Sequence, residues 1–210
     1  MSRLLVATNN PGKLAEFRRL LAPLEADVVS PAELGITLDV PEPHDTYAEN
    51  ATAKAVAFAS ASGTLTVADD SGIEVAGLGW EPGVRSARFA DGDRARGADL
   101  VLERLAGSPD RRARMVCWLA VANPDATGGA PEVELFGGIV EGSIADARRG
   151  AGGFGYDPIF ELPDGRTTAE LDDAEKAAVS HRGRAVAAAL PRLRDLLAAD
   201  ARMPAIAEDA

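Results

Sequence analysis

The sequence predicts an α/β fold with a mixed β-sheet. Short apolar runs typical of strands alternate with segments whose apolar residues recur at helical spacing. Two such runs, at 65–68 and 73–75, flank Asp-Asp-Ser-Gly at 69–72, a sequence typical of a turn, and this predicts an antiparallel pair. Alternating strands and helices combined with an antiparallel pair favour α/β with a mixed sheet.

The first elements are predicted to be a strand at 4–7, a polar loop at 8–13 and a helix. Leu14, Phe17, Leu20 and Leu21 have the spacing of one helix face. The loop reads Thr-Asn-Asn-Pro-Gly-Lys and precedes that helix, so its backbone N–H groups can meet an anion. Its spacing is not that of a P-loop, and an ordinary connection remains the alternative to phosphate contact.

A second helix is predicted to begin after Thr46, which forms a capping-box pattern with Glu49. Lys54 lies on one face of this helix, four residues after Asn50. From there Lys54 can reach a phosphate, and a solvated surface lysine is the alternative. The apolar stripe of the helix consists of Tyr47, Ala51, Ala55 and Phe58.

The second half of the chain is predicted to contain a short helix near 100–105, strands at 115–122 and 133–140, and a long helix from 181. Ser180 is expected to cap that helix. Cations at His181 and Arg182 oppose the helix dipole, so their position needs another reason than helix stability. We expect residues 1–200 to form a single domain with two lobes and 201–210 to be a flexible tail.

The composition limits the partners and the compartment. The chain has 22 basic and 33 acidic residues and a net charge of −11, so we expect no polynucleotide partner, and a small anionic ligand needs its own cationic pocket. The single cysteine, Cys117, excludes an internal disulfide and a cysteine-rich metal cluster, and it is expected to be an inert buried thiol. Without a membrane-length apolar run or a signal pattern, we expect a cytoplasmic protein with no membrane partner.

A glycine-rich segment at 148–158 places Phe154 and Tyr156 beside Asp157. The glycines provide a flexible backbone, and the aromatic rings provide flat stacking surfaces. On these residues alone, ligand contact and an ordinary loop both remain open.

Six motifs together resemble those of the inosine triphosphate pyrophosphatases, the Ham1/RdgB-like family. Between residues 7 and 185 the chain reads, in order, ATNNPGK, ENATAKA, ADDSGIEV, PGVRSARFA, GGFGYDPIF and SHRGRA. The resemblance implies an elongated mixed sheet flanked by helices, two lobes around a central active-site cleft, and a homodimer. It also implies Mg²⁺-dependent hydrolysis of non-canonical purine nucleotides (ITP, dITP, XTP) to the monophosphate and pyrophosphate.

The resemblance also implies roles for individual residues. Asp70 matches the proton acceptor and a metal ligand, Ser71 matches a substrate contact, and Glu42 matches a second metal ligand in a loosely matched segment. The residues that match the triphosphate-binding groups are Thr8, Asn9, Asn10, Pro11, Gly12, Lys13 and Lys54. The residues that match the base-recognition set are Phe154, Gly155, Tyr156, Asp157, Lys176, His181 and Arg182.

The chemistry of these residue types agrees with the implied reaction. A magnesium triphosphate needs hard oxygen ligands and cationic donors, and a carboxylate can take the proton of the attacking water. Adjacent residues of an extended chain point in opposite directions, so Asp69 has either a structural role or a role at the metal. Donors on Arg182, His181 or Lys176 would favour a 6-oxo purine over adenine, and Phe154 is the residue expected to stack on the base.

Two other functions remain as alternatives. One is a pyrophosphatase for other modified nucleotides, such as methylated pyrimidines, against which the base-recognition residues argue. The other is a non-catalytic nucleotide-binding regulator, which has no need of a water-activating carboxylate such as Asp70. Arg85 and Arg88, in the motif PGVRSARFA, can serve either the phosphate site or an interface, and the sequence does not separate these roles.

Overall fold

A computed structural model describes residues 2–90, 93–125 and 127–200, with the backbone alone at 94 and 95. In it, β1 pairs in parallel with β2 and β3, whereas β3 to β6 pair antiparallel, in the order β2-β1-β3-β4-β5-β6. The strands are β1 (Arg3–Val6), β2 (Asp27–Val29), β3 (Thr66–Val75), β4 (Arg112–Asn123), β5 (Glu132–Ile144) and β6 (Phe160–Glu161). This confirms the predicted α/β fold with a mixed sheet.

Helices cover both faces of the sheet because alternate strand residues point to opposite faces. Leu4 and Val6 pack with α1 and α5 on one face, whereas Leu5 and Ala7 pack with α2 on the other. A separate cluster of buried apolar residues surrounds Ile73 and Val75 at the far end of β3. The helices are α1 (Pro11–Leu21), α2 (Tyr47–Ser62), α3 (Arg94–Arg104), α4 (Asp173–Val179) and α5 (His181–Asp200).

The predicted turn at 69–72 is wrong, because β3 runs without interruption from Thr66 to Val75. Its ladder with β4 is continuous, from Thr66 opposite Ala122 to Val75 opposite Ala113. The carboxylates that suggested a turn are instead buried and hydrogen-bonded on the two faces of the sheet. Backbone pairing and these contacts therefore override the local turn preference.

The predicted helix starts are confirmed by their caps. The side chain of Asn10 accepts hydrogen bonds from the N–H groups at the start of α1, and Thr46 accepts one from the N–H of Glu49. Ser180 accepts one from the N–H of Gly183 at 3.0 Å. These caps fix where the polar residues of the first turns point.

Gly138 of β5 lets the first turn of α5 approach the sheet closely. An added Cβ there would overlap the carbonyl oxygen of His181 and lie 2.6 Å from the amide nitrogen of Ala185. This close packing holds His181 and Arg182 over the sheet, which is a structural reason for their place in the first turn.

Three further expectations concern burial and extent. Cys117 is fully buried as predicted, and burial together with the nearby Asp69 carboxylate raises its pKa to about 12. Among the described residues, no helix has both the length and the apolar character needed to cross a membrane. The tail predicted at 201–210 lies outside the described residues, and the assignment of 1–200 to a single domain stays a prediction.

Candidate active site

A cavity of about 590 Å³ opens between the α2 side of the sheet, the first turns of α1 and α5, and the glycine-rich loop. Its lining includes Ala7 directly after β1, Phe58 on α2, Ile73 on β3 and Met115 on β4. Gly12 is not among the lining residues. The predicted site residues that line the cavity are Thr8, Asn9, Asn10, Pro11, Lys13, Glu42, Lys54, Asp70, Ser71, Phe154, Gly155, Tyr156, Asp157, Lys176, His181 and Arg182.

The adjacent residues Asp69 and Asp70 contact different sides of the sheet. Asp69, 2% exposed, accepts hydrogen bonds from Nζ of Lys13 at 3.0 Å and from Nη2 of Arg182 at 2.9 Å, which belong to α1 and α5. Asp70 accepts one from Nδ2 of Asn50 on α2 at 3.1 Å. The alternation of an extended strand thus separates two carboxylates that are neighbours in sequence.

Asp69 is a buried anion that is fully matched by cations. Burial alone would raise its pKa, but Lys13, Arg182 and Lys54 outweigh burial and hold the pKa far below its usual range. Asp69 is therefore ionised, and its charge orients Lys13 and Arg182. This environment favours the structural role that the sequence left open.

Asp70 lies in a different electrostatic environment. Burial raises its pKa, Lys54 partly opposes this rise, and the nearby Glu42 carboxylate adds to it. Besides Asn50, it accepts a hydrogen bond from the N–H of Ser71 at 2.9 Å, and it forms no salt bridge within residues 2–90, 93–125 and 127–200. A buried carboxylate that lines a cavity without a cationic partner can accept a proton.

Lys54 lies between the acidic groups at the middle of the cavity. Its Nζ donates to the carboxylate of Glu42 and, at 2.7 Å, to the backbone oxygen of Asp69. Nη2 of Arg88 donates to the backbone oxygen of Glu42 at 2.9 Å from the opposite wall. Glu42 is therefore held on both sides by cationic side chains.

A buried ion-pair network forms the other end of the cavity. Nζ of Lys176 lies 2.6 Å from Oε1 of Glu16 and 2.6 Å from Oδ2 of Asp157. Arg182 also pairs with Glu16, and its Nη2 donates to Oγ of Ser71 at 3.0 Å. The cationic groups of Lys176 and Arg182 lie 5.2 and 5.9 Å from the ring centroid of Phe154, within cation–π range.

This network changes the expected picture of base recognition. The sequence suggested that Arg182 and Lys176 have donors available for the base, but most Arg182 donors are already engaged by Glu16, Asp69 and Ser71. His181 is buried, and burial together with the neighbouring Arg182 lowers its pKa well below 6.5, so it is neutral. Its Nδ1 has no hydrogen-bond partner among the described residues.

Two polar residues outside the predicted set, Glu16 and Asn50, bond to side chains of the site. Glu16 follows Lys13 by three residues on α1, and Asn50 precedes Lys54 by four on α2. Both spacings bring side chains to one helix face, so the signal was present beside residues already selected. Asn50 is fully buried, and a buried polar side chain needs hydrogen-bond partners inside the protein.

Glu42 and Asp70 provide the oxygen donors for a candidate metal site. Both carboxylates line the cavity, and the charge of Glu42 adds to the rise in the pKa of Asp70. Within the described part of the chain, no group of three or more histidine, cysteine or acidic residues is placed to hold a metal ion. Mg²⁺ commonly takes one or two protein carboxylates and completes its coordination with substrate phosphates and water, so this donor set fits it.

Comparisons with known proteins agree with the fold. The model described as the Ham1 family matches residues 4–192. A "dITP/XTP pyrophosphatase" of Ralstonia nicotianae is 50% identical over 202 residues, which cover 92% of this chain and 98% of that protein. The structure of the Staphylococcus aureus Ham1 protein has a TM-score of 0.77 and 36% identity, covering 95% of this chain and 100% of that one. The Mycobacterium abscessus "Nucleoside-triphosphatase / dITP/XTP pyrophosphatase" has a TM-score of 0.69 and 43% identity, with 90% and 99% covered.

Proposed function

The chain belongs to the Ham1 family, and from this premise we propose that it hydrolyses the non-canonical purine nucleotides ITP, dITP and XTP. The products are the nucleoside monophosphate and pyrophosphate. This activity would keep deaminated purines out of DNA and RNA. The observation that carries the proposal is the buried Asp70 carboxylate, which forms no salt bridge with any described residue and lies in a cavity that Lys13 and Lys54 also line.

Asp70 acts in this proposal as the acceptor of the proton from the attacking water. Water attacks the α-phosphorus, the bond from that phosphorus to the bridging oxygen breaks, and pyrophosphate leaves with the electron pair. Lys13, Lys54 and the loop 8–13 bind the phosphate oxygens and offset their charge. A raised pKa suits Asp70 to this role because the carboxylate then holds the proton more strongly.

Glu42 and Asp70 would hold Mg²⁺ together with the triphosphate. When bound, the ion supplies positive charge that offsets the phosphate oxygens and lowers the pKa of water. Lys54, which pairs with Glu42, keeps this carboxylate beside the phosphate-binding end of the cavity.

Base recognition is assigned to the end of the cavity with Phe154. The ring offers a stacking surface, and the cations of Lys176 and Arg182 lie close to it. Hypoxanthine and xanthine carry a 6-oxo acceptor where adenine carries an amino donor, so the N–H groups of Lys176 and Arg182 that remain outside the ion-pair network favour the oxo bases. His181, which is neutral, is a further member of the base-recognition set.

Product analysis tests the function directly. Purified protein with Mg²⁺ is given ITP, XTP, GTP, ATP and a methylated pyrimidine triphosphate, and both pyrophosphate and orthophosphate are measured. We expect rapid pyrophosphate release from ITP and XTP. Release from ATP, which lacks the 6-oxo acceptor, and from GTP, whose 2-amino group the loop 154–157 would have to exclude, should be slower by roughly 10²-fold or more. Orthophosphate as the first product would place the attack at the γ-phosphorus and overturn the mechanism, and binding without turnover would favour the regulator.

We also propose that the chain forms a homodimer and acts in the cytoplasm, where the nucleotide pool lies. Leu135 and Ile139 are exposed at 42% and 43% and lie four residues apart on β5, so they point to the same face of the sheet and offer an apolar surface to a second copy of the chain. Light scattering coupled to size exclusion is expected to give twice the 21.8 kDa chain mass. A mass of one chain at micromolar concentration would contradict the dimer.

A further inference from the structure

The 3₁₀ segment Gly83–Arg88 forms one wall of the cavity and is fixed against β3. The hydroxyl of Ser86 accepts a hydrogen bond from the N–H of Ile73 at 2.9 Å and donates to the carbonyl of Gly83 at 2.6 Å. An added Cβ on Gly72 would overlap the Ser86 hydroxyl and lie 2.5 Å from the oxygen of Gly83. Only glycine at this position of β3 allows the segment to approach so closely.

Arg88 is the last residue of this segment, and its side chain reaches Glu42, one of the two carboxylates of the candidate metal site. Its Nη2 donates to the carbonyl of Glu42, and the Glu42 carboxylate pairs with Lys54. The guanidinium group thus lies at the part of the cavity that contains Glu42 and Lys54. Arg85, from the same motif, is exposed and does not line the cavity.

The charge balance of the cavity separates Arg88 from its other cations. Each of the other four forms a salt bridge with a buried or half-buried carboxylate: Lys13 with Asp69, Lys54 with Glu42, Lys176 with Glu16 and Asp157, and Arg182 with Glu16 and Asp69. Within the described ranges, Arg88 forms no salt bridge, and its one hydrogen bond goes to a backbone carbonyl. Its charge is therefore available to an anionic ligand.

We propose that Arg88 binds the β- and γ-phosphates of the substrate, the part that leaves as pyrophosphate. A guanidinium donates two parallel hydrogen bonds to a phosphate, which a lysine ammonium cannot do in the same geometry. When the bond from the α-phosphorus to the bridging oxygen breaks, negative charge grows on that oxygen and on the pyrophosphate. Arg88 then acts on the leaving group from the wall opposite Lys54. This inference rests on the proposed function, which supplies the triphosphate.

Binding of pyrophosphate to the purified protein tests the inference without turnover. Calorimetry on the wild type and Arg88→Ala is carried out in excess Mg²⁺ and again in EDTA. We expect Arg88→Ala to weaken pyrophosphate binding about 10- to 100-fold in both conditions, the range for a lost charge-assisted contact. Arg88→Lys should recover part of the loss, and affinity for inosine monophosphate should change much less. Arg85→Ala is the matched control and should bind pyrophosphate as the wild type does.

Steady-state kinetics with ITP provide a second test. Arg88→Ala should lower kcat/KM by a factor similar to its loss of pyrophosphate affinity, and Arg88→Lys should lower kcat/KM by less. Pyrophosphate affinity of Arg88→Ala within twofold of the wild type would overturn the inference, and so would a wild type that binds no pyrophosphate. A loss confined to the Mg²⁺ condition would also overturn it, because Arg88 would then act only by holding Glu42. A wild type that binds pyrophosphate through Arg88 but does not hydrolyse ITP would refute the proposed function and leave the inference standing.

Discussion

Asp70→Asn is expected to lower kcat for ITP by about 10³-fold or more while nucleotide binding persists. The amide cannot accept the proton of the attacking water, and it is a poorer ligand for Mg²⁺ than a carboxylate. It keeps the size of the side chain, so the cavity retains its shape. Rapid-quench measurement of pyrophosphate release, with ITP binding measured in parallel, separates a loss of turnover from a loss of binding.

Asp69→Asn is the matched control because it makes the same change one residue earlier. Asp69 is paired with Lys13 and Arg182, so this variant should lose stability, seen as a lower melting temperature. Asp70→Asn should melt at or above the wild-type temperature, since burial opposes the charge of Asp70. Unchanged turnover in Asp70→Asn would remove this residue from the mechanism.

Arg182→Ala is expected to destabilise the fold by about 3–5 kcal/mol, because it deprives two buried carboxylates of a cationic partner. Arg182 is 2% exposed and pairs with both Glu16 and Asp69. For a chain of this length the loss corresponds to a fall of roughly 6–20 °C in melting temperature. Arg184→Ala, an exposed arginine on the same helix, is the control and should melt within about 2 °C of the wild type.

The ion-pair network around Arg182 also predicts how the stability of the protein depends on pH. Burial tends to raise the pKa of Glu16, but Arg182 and Lys176 outweigh it and hold the pKa below 4.5, and Asp69 behaves likewise relative to 3.8. Their ionisation therefore stabilises the wild type fully above about pH 5, and this contribution is lost as the pH falls through the native pKa values. Urea unfolding at pH 7 and pH 4 should show that the free energy of unfolding falls less between these pH values for Arg182→Ala than for the wild type. An equal loss in both proteins would contradict the assignment of this network.

The elements and the location of the site could be predicted because they depend on local patterns. Apolar periodicity and caps at Asn10, Thr46 and Ser180 fix the helices, and these caps stand directly before residues of the site. Six separated motifs converge on one cavity because the strands and helix starts that carry them meet at the middle of the sheet.

The contacts within the site could not be predicted because they join residues distant in sequence. Glu16 contacts Lys176, which lies 160 positions later in the chain. No local spacing indicates that Lys176 and Arg182 share this one carboxylate. The turn predicted at 69–72 failed for the same reason, since pairing with a strand some fifty residues later decides the backbone there. The choice between an interface and the phosphate site for Arg88 likewise required its contact with Glu42.

The opposite orientations of Asp69 and Asp70 restrict how the length of this chain can vary in evolution. Side chains alternate with a period of two residues, so inserting or deleting one residue before position 69 would exchange the two carboxylates between the faces of the sheet. The proton acceptor would then lie among buried cations, and the structural anion would face the cavity. A point substitution at Asp69 or Asp70 would remove one of the two roles, whereas a single-residue insertion or deletion would abolish both together. Length variation among relatives is therefore expected in the loop between β4 and β5, and not between Thr66 and Asp70.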